Sequence, residues 1–238
     1  HQADLQAAFA DISSVCEEYI ENNKIAVTDF WPSQRRRLNL LLRRWLEREL
    51  AYQREWEPFV PVKIEWDFGK NGSTPLALLV EGGKIYLNGR IDRIDSDGRG
   101  LFVTDYKRGA TPSGSDLTAG LDLQMPVYLL ALAALEPQNV VLGGGYYSLK
   151  EARRKGGFAL QALGKTPFTI NNKPFSEGDD QWSDFSDFCR ITIRGYADAL
   201  HQGIFPPAPR KKCPEFCPGK DICRAYGNLA AGGGEDNV

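Results

Sequence analysis

The chain has 238 residues, 42% of them hydrophobic and 25% charged, which is the make-up of a folded globular domain. A formal net charge of −2 excludes a global basic field, so any contact with nucleic acid has to come from local patches. No apolar run approaches the ~20 residues that span a bilayer and no secretory pattern opens the sequence, so a cytoplasmic protein with no membrane partner is expected.

Residues 3–22 repeat Leu5, Phe9, Ile12, Val15, Cys16, Tyr19 and Ile20 at helical spacing, which predicts a helix with Cys16 on its apolar stripe. The chain opens abruptly in this pattern and reads as a piece of a longer protein. Trp31-Pro32-Ser33 marks a break, with Ser33 as the expected N-cap of a second helix running to about Gln53. Leu38, Leu41, Leu42, Trp45, Leu46 and Leu50 form its apolar face, and Arg35, Arg36, Arg37, Arg43, Arg44 and Arg48 cover the rest. Such a run makes a solvated face or, alternatively, meets phosphates.

Val60, Val62, Ile64, Trp66 and Phe68 alternate, a strand signature, and Glu65 points away from that set. Leu76–Val80 and Lys84–Asp95 read as continuing the same sheet, with a turn at Glu81-Gly82-Gly83. The most informative stretch follows. Gly89-Arg90-Ile91-Asp92-Arg93-Ile94-Asp95 and Leu101-Phe102-Val103-Thr104-Asp105-Tyr106-Lys107 read as two strands joined at Asp97-Gly98. Asp105 and Lys107 are two apart and share a face, and a hairpin brings Asp92 across to them. Two carboxylates are what a hard divalent cation takes, and a neighbouring lysine can orient an attacking water and stabilise developing charge. The plain alternative is a surface hairpin with incidental charges.

After Lys107 a polar Gly/Pro/Ser loop precedes a helix over residues 117–135. Gln124 and Tyr128 are four apart and share a face, and Pro126 argues for a start near Leu123 or a kink. Asn139–Leu149 reads as a strand with an irregularity at Gly143-Gly144-Gly145. Glu151–Gly157 reads as a charged connector, Phe168–Ile170 as a short strand, and Asp180–Gln202 as a helix with Cys189 on its packed face. Five cysteines, an odd number, suit a reducing compartment and a metal site better than disulfides. Three of them, Cys213, Cys217 and Cys223, fall among prolines and a glycine that form tight turns.

The ordered set G-R-I-D (89–92), D-Y-K (105–107), Q-x-x-x-Y (124–128) and the C-terminal cysteines resembles the PD-(D/E)xK nuclease superfamily in its RecB/AddB-like branch, over roughly residues 30 to 225. The resemblance implies an α/β (α+β) fold of restriction-endonuclease type, with a central mixed sheet flanked by helices and a cysteine-rich C-terminal segment. It divides the chain into an N-terminal helical segment (1–32), a nuclease core (33–205), a cysteine-rich staple (206–226) and a disordered tail (227–238). It implies metal-dependent hydrolysis of DNA by an exodeoxyribonuclease domain of a helicase–nuclease complex in double-strand break repair and recombination. Asp92 and Asp105 would bind Mg²⁺ or Mn²⁺ with the Tyr106 carbonyl as third ligand. Lys107 would activate water, Gln124 and Tyr128 would position the site or the DNA, and Glu65 would be accessory. The expected partners are DNA and an AddA-like helicase/nuclease subunit. Cys213, Cys217 and Cys223 would hold a [4Fe–4S] cluster in the longer protein, with zinc as the alternative. The fourth ligand and a histidine-bearing helix motif are expected upstream of residue 1, with Cys16 a core residue; the alternative is that Cys16 itself is the fourth ligand. The alternative reading is a DNA-binding module with an incomplete nuclease site.

Overall fold

Asp97 closes the turn around which the sheet is organised: its Oδ1 accepts from the N–H groups of Arg99 at 2.9 Å and Gly100 at 3.1 Å. The turn joins β4 (Gly89–Ser96) to β5 (Gly100–Lys107), an antiparallel pair with Arg93 opposite Thr104 and Ile94 opposite Val103. The structure is a computed structural model, and it describes residues 2–25, 28–55, 59–80, 82–113, 116, 119–159, 169–170, 181–204 and 222. Contacts divide the chain into two units, His1–Arg194 and Gly195–Val238. The first carries every strand among the described residues. In the second, the described residues are the C-terminal end of a helix and Ile222.

The central sheet has six strands in the order β1-β4-β5-β6-β7-β8. They are β1 (Val60–Phe68), β4, β5, β6 (Val140–Ser148), β7 (Arg153–Ala159) and β8 (Thr169–Ile170). β6 runs parallel to β5, and the other pairs are antiparallel except β7 with β8, so the sheet is mixed. Parallel neighbours need a crossover, and here it carries α3 (Gln124–Leu135). That helix packs on β5 and β6 and buries Met125, Leu129, Leu130 and Leu132 almost completely, each burial contributing about 1.5–3 kcal/mol relative to exposure. Gly144 permits this approach: a Cβ there would stand 2.5 Å from Met125 Sδ. Phe185, Cys189 and Ile193, from the part of α4 (Gln181–His201) inside the first unit, join the same core. Burial pushes the Cys189 thiol up to about 12, which leaves it an inert packing group. The opposite face of the sheet meets α2 (Trp31–Glu55), through Trp45 against Tyr106 and through a cluster of Tyr52, Phe59, Phe102 and Leu142.

Several expectations give way. Leu76–Val80 (β2) and Gly83–Leu87 (β3) form a separate two-stranded sheet, and the strand expected over Lys84–Asp95 breaks at Asn88, where the chain leaves one sheet and enters the other. The charged connector at Glu151–Gly157 is mostly strand β7: Gly157 lets its backbone lie against Gly144, where a Cβ would meet the carbonyl oxygen at 2.4 Å. The helix expected from residue 117 begins at Gln124, which keeps Pro126 in the first turn, where its missing N–H costs nothing. α2 starts at Trp31, ahead of the Ser33 cap, leaves Leu38 exposed and buries Glu49. On β1, Val60, Val62 and Ile64 are exposed and only Phe68 is fully buried. On α1 (Gln2–Asn22), Val15 and Tyr19 are exposed while Cys16 is half-buried. Cys213, Cys217 and Cys223 lie outside the described residues.

Candidate active site

Strand parity places Val103, Asp105 and Lys107 on the α3 face of β5, and Phe102, Thr104 and Tyr106 on the α2 face. The antiparallel register sets Asp92 of β4 beside this end of β5, where its Oδ2 accepts from the Tyr106 N–H at 2.8 Å. α3 then delivers Gln124 at its first turn. Gln124 Nε2 donates to Asp105 Oδ1 at 2.9 Å and to the Tyr128 hydroxyl at 2.8 Å, and its Oε1 accepts from Lys107 Nζ. Gln124 and Tyr128 thus act as one unit, as their spacing on a helix requires. Gly89 makes room for that unit: Phe68 and Tyr128 meet edge to face at 6.2 Å, and a Cβ on Gly89 would stand 2.6 Å from the Phe68 ring.

Asp105 is 1% exposed. Burial holds its carboxyl above the usual range, the Lys107 ammonium opposes this, and the negative charges of Asp92 and Asp122 add to it. Lys107 Nζ stands 2.9 Å from Asp105 Oδ2 as an ion pair, yet that oxygen takes no aligned hydrogen bond among the described residues. The Lys107 ammonium also lies 5.6 Å from the centre of the Tyr146 ring. A buried carboxylate oxygen without an aligned donor, next to a second carboxylate, is a donor set that suits a hard divalent cation. Among the described residues no group of three His, Cys, Asp or Glu side chains forms a metal shell by itself.

Glu65 also reaches this region. Its backbone adopts φ +49°, a conformation that non-glycine residues rarely hold. Its Oε2 lies 3.3 Å from Arg90 Nη1. The Tyr128 phenol registers the convergence: burial raises its pKa, the Gln124 hydrogen bond opposes, and the charges of Asp105, Asp92 and Glu65 raise it further. Sequence reasoning missed Asp122, whose Oδ1 accepts from the Gln124 N–H and the Tyr146 hydroxyl, both at 3.2 Å. Its place two residues before a helix start was the available signal.

The opposite face carries a buried ionic network that the sequence did not disclose. Arg93 Nη1 donates to Glu49 Oε1 at 2.5 Å and Arg93 Nε to Asp95 Oδ1 at 2.8 Å. Arg154 Nη2 donates to Glu49 Oε2 at 3.2 Å. Arg93 Nη1 also donates to the Tyr106 hydroxyl at 3.2 Å. Glu49, on α2, therefore serves these arginines and not the Asp92–Asp105 pair.

A mixed sheet between helices, with two carboxylates and a lysine at the end of one hairpin, is an architecture of restriction-endonuclease type. The sequence profile of the PD-(D/E)XK nuclease superfamily matches residues 2–224, and the chain belongs to that superfamily. It is similar to a subunit of the ATP-dependent helicase/deoxyribonuclease of Acetivibrio thermocellus, at 34% identity over 154 residues, covering 58% of this chain and 13% of that protein. The protein of the same description from Alkaliphilus metalliredigens is 43% identical over 89 residues, 34% of this chain and 8% of that protein. The one from Symbiobacterium thermophilum is 39% identical over 130 residues, 48% of this chain and 11% of that protein. The chain thus spans a small fraction of the length of these relatives. No helix among the described residues is long and apolar enough to cross a membrane.

Proposed function

We propose that this chain is a metal-dependent deoxyribonuclease domain, acting as an exonuclease within a helicase–nuclease subunit in double-strand break repair and recombination. The observation that carries the reading is the meeting of Asp92, Asp105 and Lys107 at one end of β4 and β5, under Gln124. Asp92 and Asp105, with the Tyr106 carbonyl, would hold Mg²⁺ or Mn²⁺, which polarises a phosphodiester and acidifies a water when bound. Lys107 orients that water and balances the charge developing on the phosphorus oxygens. Gln124 fixes Asp105 and Lys107 relative to each other, Tyr128 anchors Gln124, and Glu65 is an accessory carboxylate beside them. DNA is the substrate. The partner is a helicase/nuclease subunit of AddA type, by analogy with the relatives' description as subunits of an ATP-dependent helicase/deoxyribonuclease. In the longer protein Cys213, Cys217 and Cys223 would bind a [4Fe–4S] cluster, or zinc instead.

A second reading, a DNA-binding module without nuclease activity, draws on Lys107: Asp105 and Gln124 already hold its ammonium. Cleavage of linear single-stranded and duplex DNA with and without Mg²⁺ separates the two. Asp105→Asn should abolish cleavage and weaken Mn²⁺ binding, while Lys107→Ala should abolish cleavage and keep the metal. Cleavage at the normal rate by Asp105→Asn would remove the assignment.

A further inference from the structure

On the α2 face, beside the ionic network, lies a cavity of about 290 Å³ lined by Arg48, Tyr52, Glu55, Tyr147, Arg153 and Arg154. Three arginines and one glutamate line it; Arg153 pairs with Glu151 and Arg154 with Glu49, which leaves Arg48 as the lining arginine with no ion pair among the described residues. Its floor is preorganised. Arg154 is clamped by Glu49, and its guanidinium lies 3.2 Å from the centre of the Tyr52 ring and 5.6 Å from that of Tyr147. Tyr147 is 1% exposed, yet its hydroxyl has no hydrogen-bond partner among the described residues. A buried phenol left without a partner is costly. Burial pushes its pKa up to about 12, against Arg154, so at neutral pH the group is an O–H donor. Arg48, on the exposed side of α2, makes no ion pair among the described residues. A guanidinium without an ion pair, beside a hydroxyl donor without a partner, fits a tetrahedral oxyanion.

Position connects this cavity to the candidate active site. Tyr147 pairs with Tyr106 across β5–β6 and with Arg154 across β6–β7. Neighbouring strands lie ~4.8 Å apart, so Arg154 is only about 10 Å across the sheet from Tyr106. Asp105 and Lys107 flank Tyr106 in sequence and face the other way. A nucleic-acid strand drawn over this end of β5 and β6 can touch both faces.

We propose that the cavity is a phosphate-binding site for the substrate strand, in which Arg48 and Tyr147 grip a backbone phosphate away from the scissile one. This rests on the nuclease reading for its ligand, but its test does not depend on cleavage. Binding of a fluorescein-labelled single-stranded oligonucleotide to the full chain in EDTA is followed by anisotropy across a salt series. Each phosphate contact contributes about 0.7 to the slope of log K against log salt for a single strand. Arg48→Ala should make the slope shallower by about that amount, and Tyr147→Phe should weaken binding several-fold without lowering the melting temperature. Arg44→Ala, on the same helix outside the cavity, should leave the slope unchanged. The proposal is overturned if the wild type does not bind, if Arg48→Ala and Tyr147→Phe both bind like wild type, or if Arg44→Ala changes the slope as much as Arg48→Ala does. Asp105→Asn keeps the two questions apart. If it cleaves normally while Arg48→Ala loses slope, the nuclease assignment fails and the phosphate site stands. If it loses cleavage while the cavity variants bind normally, only the phosphate site falls.

Discussion

The Tyr106 N–H donates to Asp92 Oδ2 at 2.8 Å, while the Tyr106 phenol on the other face accepts from Arg93 Nη1 at 3.2 Å. One residue therefore ties a candidate metal ligand to the buried Glu49–Arg93–Asp95–Arg154 network. Successive strand residues point to opposite faces, so the residue between Asp105 and Lys107 is the one able to make this link. The network holds the Tyr106 phenol, and through Tyr106 it is joined to the strand that carries Asp105 and Lys107.

Removing Glu49 should be expensive for that reason. Glu49→Ala leaves Arg93 and Arg154 buried without their shared counter-charge, and breaking a buried pair in this way costs about 3–5 kcal/mol. Urea denaturation should show the loss as a lower midpoint at unchanged slope. In the fraction that remains folded, Mn²⁺ affinity should also fall, because Arg93, the partner of the Tyr106 phenol, keeps only Asp95 of its two carboxylates. A midpoint within error of wild type would show that the network carries little stability.

Arg90 makes a separate, solvent-facing prediction. It grips Asp67 through two hydrogen bonds, at 2.7 Å and 2.8 Å, and this holds the Asp67 carboxyl down at about 2, below its ordinary 3.8. A carboxylate with a depressed folded pKa adds stability that is present above the ordinary value and lost as pH falls from there through the folded value. Arg90→Ala should therefore move the Asp67 titration midpoint upward toward 3.8 and flatten the dependence of stability on pH in that acidic window. Carboxyl chemical shifts followed by NMR give the midpoint directly. A midpoint still near 2 in the variant would assign the depression to Asn71, which also donates to Asp67.

Gln124 tests the division between stability and activity. It touches Asp105, Lys107 and Tyr128 but lies at the first turn of α3, outside the apolar core. Groups that orient metal-binding carboxylates typically cost about 10–100-fold in affinity or activity when removed. Gln124→Ala should lose cleavage on that order while the melting temperature changes little. A variant that melts early and yet cleaves normally once folded would make Gln124 a structural residue.

The hairpin was legible in the sequence because its signals are local: Asp-Gly sets the turn, and period-2 parity puts Asp105 and Lys107 together. Gln124 with Tyr128 was legible from helical spacing. The ionic network was not, because Glu49, Arg93 and Arg154 are far apart in the chain and each looks like an ordinary surface charge. Strand β7 was hidden for a related reason: Arg153, Arg154 and Lys155 carry its charge, while its pairing is made by backbone that any side chain permits. The separate β2–β3 sheet was missed because alternation reports a strand but not which neighbour it pairs with.

Gly144 connects the packing of the core to the site. It sits on β6 beneath the first turn of α3, and a Cβ at this position would meet Met125 Sδ at 2.5 Å and Val103 Cβ at 3.2 Å. Met125 is fully buried and immediately follows Gln124. Gly144→Ala must therefore push the first turn of α3 off the sheet or displace the Met125 side chain. Overpacking of this kind costs about 1–3 kcal/mol. If the turn moves, Gln124 moves with it, the 2.9 Å contact to Asp105 lengthens, and cleavage falls by more than the loss of folded protein explains. If only the flexible Met125 side chain yields, stability drops and activity per folded molecule is kept. Trimming the obstacle distinguishes these outcomes: Met125→Ala combined with Gly144→Ala should recover activity that Gly144→Ala loses, at some further cost in core packing. Recovery of the cleavage rate in the double variant, measured at equal folded concentration, is the expected result. A double variant as impaired as the single one would mean that Gly144 controls the site by a route other than the seat of α3.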